Sequence, residues 1–169
     1  MKTSTRKIAA CGILSALACI TFMIENLFPP LFIPGARIGV SNLFVLTALI
    51  LLGIKYSFAV LLVKITVGSF FTGFSSVMYS LPAGVISLAI EIFLIYVIKT
   101  SFPCASAVGS VINVTVQNTV FCLIAQAKEY LVYLPYLASI ATATGLAIGL
   151  LLYITINKLP DKLFKEAAN

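Results

Sequence analysis

The chain contains no histidine and no tryptophan, and its single aspartate is Asp161. Charged residues make up only 9% of it, against roughly 25% in a soluble domain. Each shortage excludes something. Without histidine and with few carboxylates, a tetrahedral zinc site cannot be assembled from the usual ligands. Without a charged surface, the chain cannot stay soluble as an ordinary globule. No basic groove interleaved with aromatics is present, so nucleic acid is not an expected partner. Cys11, Cys19, Cys104 and Cys122 lie in or beside apolar runs and form no CxxC, so they read as small packing residues.

What is present is apolar: 61% of the 169 residues, including twelve phenylalanines. That composition describes an integral membrane protein whose exterior faces lipid. The length allows one compact bundle, a single domain over residues 1–169. Apolar periodicity and punctuation by proline and glycine predict an all-α, six-transmembrane-helix bundle. The helices are drawn at 8–27, 41–53, 56–72, 81–99, 104–126 and 135–157. The first is read as retained rather than as a cleaved signal peptide, because no small-residue cleavage site follows it. The second is shorter than the roughly 20 residues a crossing needs. Pro82 is placed in the first turn of the fourth, where proline fits.

Basic residues fix the expected orientation. With the N-terminus inside, Lys2, Arg6, Lys7, Lys55, Lys99, Lys158, Lys162 and Lys165 fall on the inner face, and Arg37 and Lys128 on the outer. That bias predicts a multi-pass protein of the plasma membrane with both termini cytoplasmic. Three outer connections follow, at 28–40, 73–80 and 127–134, all longer than the inner ones. Irregular backbone at membrane depth must line a protein cavity, so binding is expected to face outward.

Polar residues inside apolar helices are the candidate site. Lys64 stands in FAVLLVKITVGSF, near mid-membrane, where an unpaired ammonium is costly. Glu91, about ten residues into the predicted fourth helix, comes to a similar depth and is the expected partner. The pair either holds two helices together or supports a ligand. Asn113 and Gln117 share one face of the fifth helix at i, i+4, with Asn118 one step round. Such amides join helices or bind a polar ligand. Ser41 and Asn42 read as helix caps or as site residues, and Arg37 as a headgroup contact or an anion contact. Tyr79, Tyr130 and Tyr133 form either an interfacial belt or the mouth of a cavity. Glu25 and Asn26 at the outer end of the first helix read equally as solvent-facing. On the first helix Gly12, Ser15, Ala16 and Cys19 give small-residue spacings that allow a second helix to approach closely.

The runs PGARIGVSNLFVLTALILLG (34–53), KITVGSFFTG (64–73), SLPAGVISL (80–88) and VGSVINVTVQNTV (108–120) resemble the bacterial heptaprenyl diphosphate synthase component I, or Gx transporter, family. The resemblance covers nearly the whole chain. That family is in turn similar to the substrate-binding S components of energy-coupling factor (ECF) transporters. The resemblance implies a non-enzymatic membrane subunit that binds a small vitamin-like or anionic compound. Its implied partners are a coupling transmembrane subunit and two cytoplasmic ATPases, with no cofactor of its own. Arg37, Asn42, Lys64, Tyr79, Glu91, Asn113, Gln117 and Asn118 are then expected to bind substrate. Gly12-xxx-Ala16 and Ser15-xxx-Cys19 are the nearest matches to the family's AxxxA coupling contact. The competing expectation is a non-transporting accessory subunit in isoprenoid, quinone or flavin-linked metabolism.

Overall fold

A computed structural model describes residues 2–27, 39–126 and 128–158, leaving aside the side chains at 2–4, 26, 27, 72, 128 and 130. The described chain is all-α. Its order is α1 (Lys2–Leu27), α2 (Asn42–Leu51), α3 (Ile54–Thr72), α4 (Ser75–Ile92), α5 (Phe102–Ala125) and α6 (Leu134–Lys158). A π-helical stretch, Phe93–Ile98, extends α4, and a 3-10 turn, Lys128–Tyr133, precedes α6.

Five of these helices are long and apolar enough to cross a membrane, and α2 is not. Its 10 residues span about 15 Å, half of a hydrocarbon core of about 30 Å. Gly53, at φ 96°, takes a backbone conformation that side chains resist and turns the chain sharply into α3. A half-length helix can lie at membrane depth only if protein surrounds it. Val45, Leu46, Ala48 and Leu49 of α2 are indeed buried, in a core shared with Val60 and Leu61 of α3 and Leu152 of α6.

The largest departure from expectation is at α4. The predicted outer connection 73–80 contracts to Gly73 and Phe74, because Ser75 already begins the helix. Gly73 at φ 93° makes the turn, and its carbonyl accepts the Ser76 N–H at 3.0 Å. Pro82 therefore sits inside α4 rather than in its first turn. It cannot supply an N–H to the carbonyl four residues earlier, which weakens the helix there. Nothing in Ser75–Ser80 breaks a helix, and burial of Ser76 and Ser80 in the bundle holds this first stretch of α4 ahead of the proline.

The helices form two groups. α1 packs mainly on α3, with α2 between them, while α5 packs on α6 and α4. The α5–α6 contact is built on small residues. A Cβ on Gly145 would lie 2.7 Å from the Ala107 Cα and 2.8 Å from the Ser106 carbonyl oxygen, and one on Gly149 would strike the Pro103 backbone. Without hydrophobic drive between helices in lipid, such close backbone approach supplies the attraction.

The orientation expected from the basic residues, with both ends cytoplasmic, would put the α3–α4 turn outside and the α2–α3 turn inside. In a background lacking the native cysteines, a cysteine at Phe74, which is 81% exposed, should react with an impermeant reagent on intact cells. One at Ile54 should not. The opposite pattern would reverse the orientation.

Candidate functional site

Asn42 and Lys64 stand eleven residues before and after Gly53, so the α2–α3 hairpin brings them level. Asn42 opens α2, and Lys64 lies midway along α3. The Lys64 Nζ donates to Asn42 Oδ1 at 2.5 Å and to Ser41 Oγ at 3.4 Å. Lys64 is only 5% exposed, so these acceptors replace water that the ammonium would otherwise need.

The Ser41 hydroxyl in turn donates to Glu25 Oε2 at 3.2 Å, and its backbone N–H donates to Glu25 Oε1 at 3.2 Å. Ser41 is the residue before α2, as expected of a cap, yet its side chain makes no capping bond. Glu25, from a different helix, takes an N–H at the α2 entrance instead. A carboxylate suits that place, because the N-terminal end of a helix presents unpaired N–H groups and partial positive charge. A continuous chain of donors thus runs from Lys64 through Ser41 to Glu25 and ties α3, α2 and α1 together.

A small chamber opens beside this chain. Its polar lining includes Glu25, Ser41, Asn42, Lys64, Asn113 and Gln117, and its apolar walls are Phe22, Leu61 and Ile65. Gly84 completes the α4 side; a Cβ there would come within 2.9 Å of Leu61 Cδ1. Phe22 lies directly against Gly68, where any side chain would collide with the ring. The chamber volume is about 20 Å³, room for about one water molecule. In this closed conformation a larger ligand would have to part the walls.

Four of the residues read from the sequence as substrate-binding therefore converge: Asn42, Lys64, Asn113 and Gln117. The other four differ in place. Asn118 is buried one step round α5, where the Cys122 thiol donates to its Oδ1 at 3.9 Å. Tyr79 packs edge-on against Phe121, with ring centroids 5.7 Å apart. Glu91 is buried against Gly109 of α5, which has no room for a Cβ. Arg37 lies outside the described residues.

The expected depth match between Lys64 and Glu91 is altered by the early start of α4. Gly84 is the residue level with the Leu61–Ile65 turn of α3. Glu91 comes seven residues later, about 10 Å nearer the α4 C-terminus.

Glu25 and Ser80 are the chamber residues that sequence reasoning missed. The signal for Glu25 was available. Ser15, Ala18, Cys19, Phe22 and Glu25 recur every three or four residues, which places Glu25 on the stripe of α1 that faces the bundle. The small-residue face of α1 divides along the same line. Ser15 and Cys19 are buried, the Cys19 thiol reaching the Val63 carbonyl at 3.9 Å, whereas Gly12 and Ala16 are exposed. Among the described residues no three His, Cys, Asp or Glu side chains cluster where a metal could be held.

The family described as heptaprenyl diphosphate synthase component I matches residues 14–154. No match is found among curated proteins or among solved structures.

Proposed function

Because the chain belongs to the heptaprenyl diphosphate synthase component I family, we propose that it is a non-catalytic membrane subunit serving isoprenoid-linked metabolism, with a chamber for the polar end of a small ligand. Component I is the subunit of that synthase without catalytic activity, and this chain is not an enzyme. The observation that carries the chamber is the convergence of Glu25, Asn42, Lys64, Asn113 and Gln117, from four helices, on one small pocket. Ionisable side chains within a membrane are retained at a cost, and they mark functional paths more often than packing. Co-isolation with a soluble prenyl diphosphate synthase subunit under mild detergent tests the accessory role. Failure of the two to associate would remove it.

A second reading is uptake, with this chain as the substrate-binding S component of an ECF-type transporter. The specific support is the exposed Gly12 and Ala16 on α1, a face on which a coupling helix could pack closely. A Cβ at Gly12 would meet nothing within 4 Å, so the position tests the idea cleanly. Gly12→Leu should leave the unfolding free energy within about 0.5 kcal/mol of wild type, as surface changes usually do. Under the uptake reading it should abolish assembly with a coupling subunit and its two ATPases. Unimpaired assembly would count against that reading.

A further inference from the structure

The chamber presents a helix N-terminus, a buried lysine and three amide side chains, a set that would suit a phosphate or carboxylate. That slot already contains an anionic group of the protein's own. Glu25 takes both donors of Ser41, and the Lys64 ammonium is held by Asn42 and by the same Ser41 hydroxyl. A multiply charged head entering beside Lys64 would meet the Glu25 carboxylate across a space of about 20 Å³. At such separations and away from bulk water, like charges repel strongly.

Building on the chamber proposed above, we infer that Glu25 sets its charge specificity: the chamber takes a neutral or zwitterionic head bearing an N–H donor, and Glu25 keeps diphosphate-like anions out. Glu25 already accepts from the Val40 N–H as well as from Ser41, so the donor meets the acceptor site left on a carboxylate that can accept about four hydrogen bonds in all. Acceptors on the same head meet the amide N–H groups of Asn113. A bare diphosphate offers only acceptors, so it leaves Glu25 without a counterpart. On this account the ligand is not the charged end of a prenyl diphosphate.

The test uses inorganic diphosphate as probe, with thermal shift and calorimetry at matched ionic strength. Wild-type protein should show no stabilisation. Glu25→Gln, which removes the charge and keeps the shape, should bind diphosphate at least about tenfold more tightly. Adding Lys64→Met to Glu25→Gln should abolish the gain. Wild type stabilised by diphosphate as strongly as Glu25→Gln would overturn the inference, and so would a Glu25→Gln protein that gains nothing. If Glu25→Gln does not fold, Glu25→Ala takes its place, and the wild-type result alone still overturns the inference if diphosphate binds. Loss of the chamber reading itself has a separate signature, since it would show in the Asn113 variant described below whatever diphosphate does.

Discussion

Lys64→Met should destabilise the bundle by about 3–5 kcal/mol, the loss typical of breaking a buried charged network from one side. Methionine fills a similar volume, so the loss would not come from a cavity. It would come from Glu25, left facing Ser41 without the nearby ammonium, and from Asn42 Oδ1, left without its donor. The partner of Lys64 can then be read by double-mutant cycles on thermal stability. Lys64 with Asn42 should show coupling of about 1.5–3 kcal/mol, as for a hydrogen bond to a charged group. Lys64 with Glu91 should couple more weakly, because Glu91 lies some two turns further along α4. A larger coupling to Glu91 than to Asn42 would return the pairing to the one the sequence suggests.

The other large effect should come from Gly149. A leucine there would drive its Cβ into the Pro103 backbone and the Phe102 carbonyl. Overpacking usually costs about 1–3 kcal/mol, and rises when the obstacle is backbone rather than a movable side chain. Gly149→Leu should therefore part α6 from α5 and yield little monodisperse protein in detergent. Gly12→Leu, the same change on an open face, is the control. Equal behaviour of the two would mean that α5 and α6 do not meet in this register.

The helical, membrane-embedded character was legible from composition and apolar run length alone. The shortness of the second helix was legible too, and it is what brings Asn42 to the depth of Lys64. The start of α4 was not. Pro82 is a strong first-turn signal, and only tertiary packing of Ser76 and Ser80 into the bundle shows that the helix begins before it. That error of about two turns carried Glu91 to the wrong depth. Asn113 and Gln117 were found by their i, i+4 spacing, because a helical face is a local property. Glu25 was missed because a carboxylate at the end of an apolar run looks solvent-facing. Its burial depends on Ser41, sixteen residues away across a connection whose path the sequence does not reveal.

The central claim is that the chamber between α1, α2, α3 and α5 receives a small ligand. Native mass spectrometry of gently purified wild type beside Asn113→Leu tests it most directly. Asn113 lines the chamber and is only partly buried, so its replacement should leave the fold intact. Wild type should carry a bound small molecule of defined mass, and Asn113→Leu should have lost it. Wild type free of any such molecule, or a variant that retains it in equal amount, would contradict the account.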